Sequence, residues 1–280
     1  MVMKHLFQEP PSPDVSNNAS SSGSRDSDQE MGSPPVSKKA FLCFPHGINL
    51  NPVRVVLAEM VGTFILMFSV CGIIASTQLM RSEVGLLEYA ATAGLTIIVL
   101  IFSIGSISGS HVNPSVTVAF AAFGHFPWSK VPLYIIAQML GSVLATFVGS
   151  AVYGIKSELV TTQPLQGCTA AFWVELIATF IVMFLATSLT YEAQSVGHLS
   201  GFVVGIAIGL AVLITGPVSG GSLNPARSLG PAIVSWRFKN VWIYLTAPTI
   251  GAAAGVLLFR ILRLKRQPCT STPSPNSCLL

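Results

Sequence analysis

Two short stretches of this sequence join small residues to an asparagine and a proline. They are Ser108-Gly109-Ser110-His111-Val112-Asn113-Pro114-Ser115 and Ser219-Gly220-Gly221-Ser222-Leu223-Asn224-Pro225-Ala226-Arg227. The chemistry open to them is hydrogen bonding rather than bond breaking. Asn is a good helix N-cap. Pro is favoured as the first helical residue, because its missing N–H would have no partner there. Each stretch therefore reads as an extended loop running into a short helix, from Ser115 to about Phe123 and from Ala226 to about Val234. Small residues let the backbone approach a solute closely. The carbonyls of Gly109, Ser110, His111 and Val112, and of Gly220, Gly221, Ser222 and Leu223, are then a track of acceptors, with Asn113 and Asn224 as donors.

Three charged residues belong to the same chemistry. Glu59 and Glu175 sit in the middle of long apolar runs, where a charge is costly and usually functional. Their matched places suggest a shared job, accepting backbone N–H groups of an Asn-Pro loop and holding it open. The alternative is a proton-coupling carboxylate, but no second acid or His lies in the adjacent runs to complete a relay. Arg227 follows Asn224 by three positions. A guanidinium cannot stay unpaired in hydrocarbon, so it is expected to face a pore and bond loop carbonyls, its fork of donors orienting hydroxyls. The competing reading is an interfacial arginine snorkelling to lipid headgroups.

The elements that must position these groups are apolar and long. Of 280 residues, 51% are hydrophobic and 9% charged, with a mean hydropathy of +0.67. Soluble domains carry about 25% charged residues, so this chain lacks the charge to cover a soluble surface. The net charge of +4 lies mostly at the flanks of the apolar runs and gives no argument for nucleic acid. A helical crossing takes about 20 residues. Six runs qualify: Val53–Leu79, Ala90–Ser106, Val131–Tyr153, Ala170–Tyr191, Leu199–Thr215 and Val241–Leu262. The second and fifth are the shorter ones, and each leads into an Asn-Pro loop. Non-helical backbone survives at membrane depth only where protein buries it or a watery cavity runs past it.

The two halves repeat. Val56-Leu57-Ala58-Glu59-Met60-Val61-Gly62-Thr63 aligns with Phe172-Trp173-Val174-Glu175-Leu176-Ile177-Ala178-Thr179. Three crossings per half make the second half inverted, which puts the functional site near the midplane between the repeats. Lys38, Lys39, Arg54, Lys130, Arg260, Arg263, Lys265 and Arg266 fall on one side, against Arg81, Lys156, Arg237 and Lys239 on the other. By the positive-inside rule both termini are then cytosolic. Gly141 and Gly251, with small neighbours, read as close helix contacts.

Paired Asn-Pro boxes in a six-span chain resemble the aquaporin (major intrinsic protein) family. The Asn-Pro-Ser form of the first box and the long Ser/Pro-rich N-terminal tail resemble its plant nodulin-26-like members. The resemblance covers roughly Val53 to Leu262. It implies an all-α membrane protein with six transmembrane helices and two re-entrant half-helices, arranged as an inverted repeat in a right-handed bundle. It also implies a homotetramer. Carried over position by position, it makes Asn113, Pro114, Ser115, Asn224, Pro225 and Ala226 the pore boxes, and Ala93, Val212, Gly221 and Arg227 the selectivity filter. Water-selective relatives have an aromatic and a His where this chain has Ala93 and Val212. The filter here is wider and half apolar. The resemblance points to a passive channel for boric acid and related metalloid hydroxides such as arsenous acid, also passing glycerol and urea, with weak water flow. The alternatives are a channel mainly for water and glycerol, a proton-coupled secondary transporter, and a non-conducting structural member of the family.

Tyr89 precedes Ala93 by one helical turn and shares its face. One reading has its ring over the filter and its hydroxyl on Arg227 as a gate; the other is a tyrosine of the interfacial belt. His111 adjoins the first box and reads as a packed or solvated side chain before a pH sensor. No nucleophile–base pair, phosphate loop or metal cluster appears, so neither an enzyme, a cofactor nor a metal is expected. The five cysteines read as free thiols.

The domain reading has three parts. Residues 1–50 are a polar, disordered, cytosolic tail. Residues 51–264 are the channel, with repeats at about 53–155 and 168–264. Residues 265–280 are a second disordered tail, where Arg266 before Thr270 and Ser271 is a weak kinase signal. The bilayer is the expected surrounding, and the plasma membrane the expected one.

Overall fold

The computed structural model describes residues 51–79, 85–191 and 199–263. The two tails, with Thr270, Ser271 and the expected cytosolic termini, lie outside the described residues, as do Arg81 and His198. Among the described residues eight α-helices follow in order: α1 (Asn51–Leu79), α2 (Leu86–Ser108), α3 (Pro114–Ala122), α4 (Val131–Tyr153), α5 (Cys168–Tyr191), α6 (Ser200–Ser219), α7 (Pro225–Ser235) and α8 (Val241–Arg263). Six of these segments are long and apolar enough to cross a membrane; α3 and α7 are the short ones.

The spans are longer at several ends than the apolar runs predict. α2 begins four residues before Ala90 and runs to Ser108, and α6 continues past Pro217 to Ser219. At 23 residues α2 is therefore not a short span. Both extensions have a local cause. The amides of Gly109 and Gly220 close onto the carbonyls of Gly105 and Gly216, at 3.0 Å each. Both glycines adopt the left-handed conformation, φ 93° and 81°, that ends a helix without a Cβ clash. Pro217 sits in the last turn of α6. A short 3₁₀ turn at Trp128–Lys130 precedes α4, and another at Ser157–Val160 lies in the loop before α5; neither was legible in the hydrophobic pattern.

The packing repeats itself. α1 lies on α4 as α5 lies on α8, and α2 meets α6 across the middle. The short helices cross over: α3 packs on α8 and α7 on α4, each against the last span of the other repeat. Where α1 meets α4, a Cβ on Gly141 would run into the Met60 carbonyl oxygen; on Gly251 it would run into the Leu176 carbonyl oxygen, where α5 meets α8. The outward faces carry exposed apolar residues such as Leu95, Val99, Phe102, Phe147, Phe202 and Ile206. In water that surface would be a liability. Around a six-span bundle it is the surface that meets acyl chains.

Gly251→Val should prevent the close α5–α8 contact. Detergent-solubilised variant is expected to elute as aggregate on size-exclusion chromatography; a sharp parental peak would count against this contact as the constraint on helix approach.

Candidate functional site

The loops between α2 and α3 and between α6 and α7 cannot satisfy their own backbone. Each is held by one buried carboxyl group. Glu59 Oε1 accepts from the Ser108 hydroxyl (2.6 Å) and the His111 amide (2.9 Å), and Oε2 from the Val112 amide (2.7 Å) and Gln138 Nε2 (2.8 Å). Glu175 Oε1 accepts from the Ser219 hydroxyl (2.6 Å) and the Ser222 amide (2.9 Å), and Oε2 from the Leu223 amide (2.6 Å). Two tyrosines complete the matched pattern: Tyr134 donates to the Ser108 carbonyl at 2.7 Å and Tyr244 to the Ser219 carbonyl at 2.8 Å. These serines, tyrosines and Gln138 were not singled out from the sequence. Ser108 and Ser219 could have been, since each opens its loop at the same place.

The carboxyl groups hold backbone that is otherwise strained. Ser110, Val112 and Leu223 have φ of 49°, 41° and 58°. A β-branched residue in this region is an outlier, and such residues cost about 1–3 kcal/mol each. The bonds from Glu59 to Val112 and from Glu175 to Leu223 fall on two of the three.

Asn113 and Asn224 cap α3 and α7: Asn113 Oδ1 accepts from the Ser115 amide at 2.9 Å, and Asn224 Oδ1 from the Ala226 amide at 2.9 Å. Each also reaches across the repeat boundary. Asn113 Nδ2 donates to the Leu223 carbonyl and Asn224 Nδ2 to the Val112 carbonyl, both at 2.8 Å. A primary amide has two N–H donors, so one per asparagine remains. The Val112 and Leu223 carbonyls are thereby partly engaged and are weaker acceptors for a solute than the sequence reading made them.

A narrow cavity of about 90 Å³ runs past these groups. One wall is polar, with Ser110, His111, Asn113, Ser222, Asn224 and Arg227; the other is aliphatic, with Leu66, Ile97, Ile101, Val182, Ile208 and Val212. Ala93, Gly221, Val112, Leu223 and Tyr89 also line it. Gly109 instead lines a vestibule of about 530 Å³ at the Lys130 end, which His111 shares. Gly220 stands behind the wall, its carbonyl 3.5 Å from the Tyr89 hydroxyl. Pro114, Ser115, Pro225 and Ala226 are buried.

Arg227 is buried and bridged at both ends of its fork. One terminal nitrogen donates to the Val160 carbonyl at 2.7 Å and the other to the Tyr89 hydroxyl at 2.8 Å. Its Nε–H has no protein partner. Tyr89 in turn lies 3.3 Å from the Gly221 carbonyl. A Cβ on Gly221, at φ 65°, would lie 3.3 Å from the Tyr89 ring, so only glycine lets ring and loop approach this closely. The loop that carries Val160 is tied in again by Thr162, whose hydroxyl donates to Ser228 Oγ at 2.7 Å.

His111 is packed among Phe120, Phe126 and Tyr134. Its Nδ1 lies 3.1 Å from Thr117 Oγ1, whose proton goes to the Asn113 carbonyl at 3.0 Å. At the vestibule mouth, burial and then the nearby Arg260 charge hold the His125 imidazole below its ordinary range, in the neutral form.

Two crossed half-helices whose capping asparagines bond across the repeat boundary identify the architecture, and comparison with known proteins agrees. The major intrinsic protein family model matches residues 48–259. The chain belongs to that family. It is similar to "Probable aquaporin NIP7-1" of Arabidopsis thaliana, 58% identical over 90% of this chain and 96% of that one. It is also similar to "Aquaporin NIP1-1" of Zea mays, 37% identical over 85% and 84%. The solved aquaglyceroporin from Plasmodium falciparum superposes with a TM-score of 0.70 at 26% identity, covering 74% of this chain and 95% of that one. This is an aquaporin-family channel, an integral multi-pass membrane protein that passes small neutral solutes passively and is not an enzyme.

Glu175→Gln keeps the shape but turns one acceptor into a donor facing the Ser222 or Leu223 amide. Buried donor against donor is costly. Per-channel solute flux in vesicles is expected to fall at least about tenfold; parental flux would show that the loop does not depend on this carboxyl.

Proposed function

We propose that the chain conducts small uncharged hydroxylated solutes, boric acid foremost, with arsenous acid, glycerol and urea as further substrates and water passing weakly. The observation that carries this reading is the filter. Ala93 and Val212 put small apolar walls beside Arg227, whose fixed charge is held in place by the Val160 carbonyl and the Tyr89 hydroxyl. A planar trihydroxy acid has hydroxyl oxygens for the remaining N–H groups of Asn113 and Asn224, which line the cavity. Its own protons suit carbonyls of the polar wall, and its bulk needs the space that Ala93 leaves. Water gains little from an aliphatic wall.

Charge exclusion follows from the same groups. The two half-helices point their N-termini at the cavity centre, each worth about half a positive elementary charge. Arg227 adds a full one. A cation, hydronium included, is repelled, while a neutral solute is not. The proton-coupled alternative is disfavoured by Glu59 and Glu175, whose oxygens are taken up by loop donors. Tyr89 favours a restricted form of the channel: its hydroxyl on Arg227 and its ring in the lumen wall narrow the filter, as a gate would. The flank charges support cytosolic termini in the plasma membrane. The exposed apolar faces and the family support a homotetramer with one conduit per subunit.

Stopped-flow measurements of boric acid, glycerol and water in the same vesicles test the reading. Boric acid flux is expected to be linear in gradient, indifferent to a pH gradient and low in activation energy. Water flux well above both solutes would make this mainly a water channel. Tyr89→Ala is expected to raise boric acid flux severalfold, since one bulky side chain and one bond to Arg227 are lost; unchanged flux removes the gate.

A further inference from the structure

The first Asn-Pro box ends in serine and the second in alanine. Ser115 is fully buried and is not in the lumen wall. Its Oγ lies 2.9 Å from Thr249 Oγ1 on α8. Thr249 spends its only hydroxyl proton on the Leu245 carbonyl at 2.7 Å. Ser115 is therefore the donor in the pair. Its backbone N–H meanwhile donates to Asn113 Oδ1. One residue thus grips a neighbouring span with its side chain and the pore asparagine with its main chain.

We propose that the Ser115–Thr249 hydrogen bond is a positioning clamp that sets the depth and rotation of α3, and through it the aim of the Asn113 amide into the lumen. Ser115 acts through Asn113 and does not touch the solute. The Asn113 amide bridges onward to the Leu223 carbonyl, and Leu223 is held by Glu175. The chain of bonds therefore runs from α8 through both pore loops. The second repeat fastens the matching point differently: Ser142 on α4 donates to the Ala226 carbonyl at 2.6 Å. In both repeats the residue after the proline is fixed by a hydroxyl from the last span of the other repeat. α3 is tied to α8 at its far end too, where Arg260 donates to the Phe123 carbonyl at 3.0 Å. The clamp is independent of which neutral solute the channel prefers.

The two partners are not equivalent, and that asymmetry is the test. Ser115→Ala leaves Thr249 bonded to Leu245. Thr249→Val leaves a buried serine hydroxyl without an acceptor, the costlier defect. Glycerol, boric acid and water permeabilities would be measured in the same vesicles for the parent, both single variants, the double variant and Thr249→Ser. The ratio of solute to water permeability does not depend on how many channels fold. Thr249→Val is expected to shift that ratio about three- to tenfold and Ser115→Ala less. The double variant should be no worse than Thr249→Val, and Thr249→Ser should stay near the parent. Unchanged ratios in both single variants, or a double-variant shift equal to the product of the single shifts, would overturn the clamp. Because the glycerol-to-water ratio is read separately, a channel that refuses boric acid would end the substrate proposal and leave this one standing.

Discussion

Backbone amides that lie in no helix, inside a layer without water, are the constraint on which this structure rests. A transmembrane bundle avoids such groups by closing every bond within a helix. Here two loops must stay open at mid-depth, so that their carbonyls and caps face a lumen. One glutamate per loop answers the amides that the loop cannot answer itself. In doing so it holds Val112 and Leu223 in a backbone conformation that neither residue favours. The exchanged asparagine bonds then join the two loops into one object. Helix approach, the glycine contacts and the crossing of the half-helices all serve to bring these two carboxyl groups to the right depth.

Arg227 shows how the same logic makes a filter. A guanidinium has five donors, and the protein binds both terminal nitrogens with one carbonyl and one hydroxyl. The group is thus held rigidly at the edge of the lumen. The Val160 carbonyl comes from the loop between the repeats, so the filter is built from four separate parts of the chain: α2, that loop, α6 and the second pore loop as it runs into α7. The apolar wall opposite contributes shape without competing for hydrogen bonds.

Much of this was legible in the sequence, for reasons that can be named. Composition and run length gave the six crossings, because a bilayer demands them. The Asn-Pro boxes gave the half-helices, because capping chemistry is local. Glu59 and Glu175 stood out because a carboxyl in an apolar run needs a reason. The network around them was hidden. Tyr134, Tyr244 and Gln138 meet their partners only after distant spans pack, and an apolar run containing a tyrosine looks the same whichever way the hydroxyl points. The left-handed Val112 contradicts local propensity and follows only from the bonds on both of its sides. Helix ends at Ser108 and Ser219 were misjudged because a Gly-Pro pair and a loop serine look like terminators, whereas the αL glycine one residue further on is the true stop.

The crossing of the short helices bears on how such a chain folds. α3 leans mainly on α8 and α7 mainly on α4, so each half supplies most of the wall for the other's short helix. A single half made alone would have its glutamate for the loop, but the crossed asparagine bonds would form only when a second, upside-down half met it. With both halves in one polypeptide, that meeting is a folding step rather than an encounter between molecules.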